Sequence, residues 1–155
     1  MHGDPTPIPL STPGFNSTRV EFSPDGRWIA YESNETGRFE VYVREFTGSA
    51  DSAANGGKWM ISNDGGFWPH WRADGKEIVY TASNQTTLMS VDVDTSHSFQ
   101  AGTPRRILEM PADRGGTNVV AASSDLKKFL MGVPVEQKAA QSFTVVLNWA
   151  AGLTK

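Results

Sequence analysis

The chain of 155 residues contains no cysteine. That excludes disulfide staples, thiol catalysis and cysteine-ligated zinc, and leaves the compartment open. No apolar run reaches the roughly 18 residues that a membrane-spanning helix needs, so no membrane insertion is expected. Charge of one sign is also scarce. The net charge is -3 with acids and bases interspersed, and without a basic stripe nucleic acid is not an expected partner. Helix signals are nearly absent, because Ala139-Ala140 and Ala150-Ala151 are too short to nucleate a helix. Histidine is rare: His2, His70 and His97 are the full set, thin for a metal site that wants three or four ligands. There is no Gly-x-Ser-x-Gly elbow, and no Gly-Lys-Ser/Thr follows Gly56-Gly57 or Gly65-Gly66. The expectation is therefore no enzyme, no cofactor and no metal.

What is present is repetition. Phe22-Ser23-Pro24-Asp25-Gly26-Arg27-Trp28-Ile29-Ala30-Tyr31 returns as Trp71-Arg72-Ala73-Asp74-Gly75-Lys76-Glu77-Ile78-Val79-Tyr80. It returns once more, eroded, as Ala122-Ser123-Ser124-Asp125-Leu126-Lys127-Lys128-Phe129-Leu130-Met131. The aspartates lie 49 and then 51 positions apart, and a strand-rich repeat of that period indicates propeller blades or a similar array.

Each unit reads as short strands joined by turns. Thr18–Ser23 and Trp28–Ser33 flank Pro24-Asp25-Gly26, where Pro presets φ, Asp bonds the backbone beyond it and Gly accepts positive φ. Glu40–Phe46 alternates as a strand should, and Lys58–Ser62 follows a Gly/Ser/Ala-rich loop. The second unit runs Phe67–Arg72, Glu77–Ser83, Thr87–Asp94 and Arg105–Met110. The third runs Asn118–Ser123, Lys128–Pro134 and Ser142–Trp149. The unit boundaries are approximately 13–62, 63–110 and 111–155, within one domain spanning 1–155. Pro7-Ile8-Pro9-Leu10 precedes the first hairpin as Trp59–Gly65 precedes the second, and its prolines suit an outermost edge strand.

The hairpin motif followed by Val41-Tyr42-Val43 resembles the TolB-like, or WD-repeat-like, propeller repeat over nearly the whole chain. The second copy keeps Asp74-Gly75 and replaces Ser-Pro with Arg72-Ala73. The third keeps Ser124-Asp125 and carries Leu126 where the others have glycine, which leaves its turn geometry open. Phe143–Trp149 is similar to the C-terminal segment of such propellers in bacterial sensor or regulatory proteins, kinases among them. The resemblance implies an all-β propeller of three four-stranded blades per chain. Members of the family close rings of six or seven blades. A homodimer of six blades is therefore expected, with residues 6–12 donated as an outer strand to the partner's third blade. The resemblance also leaves room for an accessory or sensor propeller of a larger bacterial kinase or hydrolase. Met1–Pro5 has neither the basic region nor the apolar core of a signal peptide. The compartment is then periplasmic if the chain belongs to a longer exported or membrane-anchored protein, and otherwise cytoplasmic.

Asp25, Gly26, Asp74, Gly75 and Asp125 recur once per unit in the same turn, so they are assigned to building blades rather than to chemistry. Trp71 stands opposite Phe22 in register and is assigned to packing between blades. Arg19, Trp68 and His70 lie on innermost strands and are the candidates for a binding surface at the channel or its rim. A peptide or protein is the expected ligand there; a purely structural, self-assembling role without ligand is the alternative. The loops Thr47–Gly57, Thr95–Thr103 and Val135–Gln141 are further candidates for recognition, because loops on a rigid scaffold carry most of it.

Overall fold

A computed structural model describes residues 13–48, 56–111 and 119–132 of the chain. The proposed donor segment 6–12, the strand Ser142–Trp149, His2, the loop Val135–Gln141 and most of Thr47–Gly57 lie outside the described residues. Eleven strands occur among the described residues, and no helix. The first sheet runs β1 (Ser17–Phe22), β2 (Trp28–Ser33), β3 (Glu40–Glu45) and β4 (Lys58–Met60), in that spatial order and antiparallel throughout.

The second sheet contains β5 (Gly66–Trp71), β6 (Glu77–Ala82) and β7 (Thr87–Asp94). Two short strands share the far side of β7: β8 (Gln100–Ala101) pairs with Val93 and Asp94, and β9 (Arg105–Glu109) pairs with Thr87–Ser90. The third sheet consists of β10 (Val119–Ala122) and β11 (Phe129–Met131) among the described residues. The all-β class is thus observed, and the strands fall where alternation placed them. The exception is β8, which lies inside a segment read from the sequence as a loop.

Successive strand residues point to opposite faces of a sheet, and both faces of these sheets are apolar. Trp28, Ala30, Val41 and Val43 of the first sheet share one buried cluster with Trp71, Ile78, Tyr80, Val91 and Val93 of the second. The other face of the second sheet contributes Leu88, which clusters with Met110 and with Phe129 and Met131 of the third. The opposite face of the first sheet holds its own cluster of Ile29, Tyr31 and Tyr42 with Phe46. Each sheet therefore packs its leading face on the trailing face of the one before it.

The three hairpin turns have one geometry. The Ser23 hydroxyl donates to Asp25 Oδ1 at 2.6 Å and accepts from Trp28 N at 2.9 Å, while Arg27 N donates to Asp25 Oδ1 at 3.1 Å. Ser123, Asp125, Lys127 and Lys128 repeat these contacts at the same distances. In the second copy Arg72 Nε replaces the serine hydroxyl on Asp74 Oδ1, at 2.7 Å. Gly26 and Gly75 both adopt φ 70°, and Leu126 adopts φ 54°. The loss of glycine therefore leaves the third turn unchanged in shape and places a leucine in the left-handed region. That conformation costs an L-residue on the order of 1–2 kcal/mol. Leu126 is nonetheless buried, so removing its side chain also forfeits packing. The two effects separate by comparing two variants that both lack the side chain. Leu126→Gly is expected to be more stable than Leu126→Ala by about 1 kcal/mol in chemical denaturation, the reverse of the usual order. Equal stabilities would mean the turn relaxes to negative φ.

Candidate functional site

Strands β1 and β5, at the edges of their sheets, each contain a bulge at the same place in the repeat. Pairing slips between Thr18 and Glu21 against β2, and between Phe67 and His70 against β6. At the slip Arg19 takes φ 55° and Trp68 φ 51°, positions 19 and 68 being equivalent. Bulges accentuate twist and re-aim side chains. Alternation is broken there, so the relative facing of Trp68 and Trp71 does not follow from their spacing. Trp71 is buried in the core between the first two sheets, and Trp68 is half-buried beside Arg19. The Arg19 guanidinium lies 5.6 Å from the centre of the Trp68 ring, within cation–π range. Phe67 packs against Trp68 at 5.3 Å and against Phe39 at 5.6 Å, continuing the aromatic surface.

Two carboxylates lock the first sheet to the second here. Trp68 N donates to Glu32 Oε2 at 3.0 Å, and Thr18 Oγ1 donates to Glu32 Oε1 at 2.6 Å. Trp71 N donates to Glu21 Oε1 at 3.1 Å, and His70 Nδ1 sits 2.9 Å from Glu21 Oε2. The bulged edge strand thus has two of its N–H groups taken up by the preceding sheet, as buried amides require. The structure therefore brings Arg19, Trp68 and His70 to one surface, together with Glu21 and Glu32. Sequence reading missed both glutamates. A bulge built on Arg and Trp has no glycine to announce it.

The aspartates of the turns occupy one rim. Asp25 and Asp74 flank a cleft of about 300 Å³ that Thr95 also lines. Donation from the Ser23 hydroxyl holds the Asp25 carboxyl below the usual carboxylate range. Arg72 does the same for Asp74, and the Ser123 hydroxyl for Asp125. Carboxylates held ionised by their own turns are poor proton donors near neutral pH. They behave as turn residues. Adjacent turns also touch: Ala73 N donates to Ser124 O at 2.8 Å.

Two buried carboxylates that the sequence did not flag are engaged by their surroundings. Glu40 accepts from Gly65 N at 3.0 Å, from Arg38 Nε at 2.7 Å and from the Ser62 hydroxyl. Glu77 accepts from the Ser90 hydroxyl, from Arg72, and from Arg105 at 3.0 Å. Both serve as clamps between strands and loops. His97 is exposed beside Ser96. Among the described residues no group of three His, Cys, Asp or Glu is placed to hold a metal ion.

The segment 95–103, read from the sequence as a candidate recognition loop, is anchored at several points. Asp94 Oδ1 accepts from Ser96 N at 2.8 Å, β8 pairs back on β7, and Phe99 is buried against Trp28 and Trp59 of the first sheet. No protein-family model matches the chain, and a search of the curated proteins finds no match.

Proposed function

We propose that this chain is a non-enzymatic β-propeller module of TolB-like type, with each sheet a blade. In this reading two copies form a ring of six blades, and a peptide or protein segment binds at the mouth beside Arg19, Trp68 and His70. The observation that carries it is the pair of bulged edge strands, which set Arg19 and Trp68 at one repeat position and stack them on the same surface. Non-glycine residues at positive φ are uncommon and cluster where function requires them. Arg and Trp are both among the residue types enriched at binding hot spots.

A phage-displayed random peptide library tests the reading. Peptides are expected to enrich on the parent protein and to be lost on Arg19→Gly and Trp68→Gly. Glycine is the replacement of choice because it relieves positive φ, which keeps melting close to that of the parent. No enrichment on the parent would remove the binding role and leave the purely structural, self-assembling one. Enrichment unaffected by either variant would move the ligand elsewhere on the protein.

A further inference from the structure

Arg19 stands apart from the other described arginines. Arg27, Arg38, Arg72, Arg105 and Arg106 each reach a carboxylate, and Arg44 is buried. Arg19 is exposed and meets only the Trp68 ring, with no hydrogen bond or ion pair among the described residues. The two carboxylates of the site do not neutralise it, because each is engaged in joining the first sheet to the second. Glu32 accepts from the Thr18 hydroxyl and from Trp68 N, and Glu21 accepts from Trp71 N and faces His70 Nδ1. The bulge thus holds Arg19 at φ 55°, a conformation unfavourable for an L-residue, for a side chain that bonds nothing within the fold.

We infer that the peptide bound at this surface presents an aspartate or glutamate carboxylate to Arg19, with an apolar residue beside it on the Trp68 and Phe67 rings. The inference rests on the binding role proposed above and names the chemistry of the ligand. A guanidinium held against an aromatic ring keeps its in-plane N–H groups free, and their fork matches the two oxygens of a carboxylate. The ring also fixes the side chain in advance, which lowers the entropy lost on binding. Phe39, Phe67 and Trp68 are each half-buried, so an apolar strip begins where the cation ends. One cation beside two carboxylates suits a singly charged group. A phosphate carries close to two charges and is met by clusters of arginine, whereas Glu21 and Glu32 would repel its second charge.

The sequences of phage-displayed random peptides selected on the parent protein test this ligand class. Clones lost on Trp68→Gly are expected to carry Asp or Glu at a fixed distance from an apolar residue, more often than the unselected library does. Selection on Arg19→Glu is expected to return Lys or Arg at that place instead. Circular dichroism of this variant should match the parent, because Arg19 is exposed and bonds nothing within the fold. A synthetic copy of the strongest clone, titrated against the parent by fluorescence polarisation, should bind about tenfold more weakly once its acid is replaced by the amide, the loss of one charge-assisted hydrogen bond. Added salt should narrow that difference, and phosphoserine in place of the acid should not tighten binding. Three results would overturn the carboxylate and leave the peptide site standing: clones that need Trp68 without preferring an acid, acids still selected on Arg19→Glu, or tighter binding of the phosphoserine peptide. A library that enriches nothing on the parent, or only clones indifferent to Trp68→Gly, would overturn both.

Discussion

Alanine at position 99 is expected to destabilise the protein by about 3–5 kcal/mol, the range for truncating a buried phenylalanine. Phe99 sits on the segment between β7 and β8 of the second sheet, yet its ring lies 5.5 Å from Trp28 and 5.1 Å from Trp59 of the first. Trp28 and Trp59 in turn meet edge-on at 5.6 Å. The three rings form a strut between two sheets, and removing one member leaves a cavity that two rigid indoles cannot collapse to fill. The site is tight on its far side too. A methyl group on Gly57 would meet the Trp59 ring at 2.1 Å, so the indole has little room to move. Thermal melting should fall by on the order of 10 °C, taking about 2–4 °C per kcal/mol for a protein of this size. Replacing the neighbouring exposed His97 with alanine should change little. A Phe99→Ala protein within about 1 kcal/mol of the parent would mean that the segment 95–103 is not a strut.

The second large effect is loss of stability at alkaline pH. Burial pushes the Tyr31 and Tyr80 hydroxyls up to about 12 from an ordinary value of 10.0, and burial also raises Tyr42. Nearby carboxylates, Glu35 for Tyr31 and Glu40 for Tyr80, add to the same direction, while Arg44 partly opposes it at Tyr31. A raised value in the folded state means that the native protein holds these protons longer than the unfolded chain does. Their contribution is therefore complete below pH 10 and is lost as pH rises from 10 to 12. At 1.36 kcal/mol per unit, that is about 2–3 kcal/mol for each of Tyr31 and Tyr80. Three tyrosines are all the chain contains, so absorbance at the tyrosinate band is easily read. No tyrosinate should appear near pH 10 while circular dichroism stays native, and ionisation should then rise together with unfolding. A third of the signal titrating near pH 10 in folded protein would show that at least one of these rings reaches water.

Much of the fold was legible because the repeat is short-range and local. Strands β2 and β7 match the spans read from alternation; β3, β4, β6 and β9 differ at one end by a residue or two, and β1, β5, β10 and β11 differ at both ends. Turn chemistry carried the same information, since Asp25, Asp74 and Asp125 bond the backbone two residues on in every copy. Leu126 shows the limit of reading glycine as the only signal of positive φ. Its turn keeps the shape of the other two because the Ser123 and Asp125 side chains bond the backbone in the same way. The candidate surface was half legible. Arg19, Trp68 and His70 were visible as residues of strands read as innermost, but Glu21 and Glu32 act across a gap of 36 to 50 positions. Nothing in their local sequence marks them.

By itself, then, the amino-acid order determined the all-β class, the three-fold repetition and the hairpin turns, all of which depend on neighbours within a few residues. The tertiary structure alone decided which face of each sheet meets the next, where the bulges fall and that Phe99 reaches across to the first sheet. Those features arise from packing between segments far apart in the chain, where the energy depends on shape and on leaving no amide unpaired. A one-dimensional pattern of apolar and polar residues does not record them.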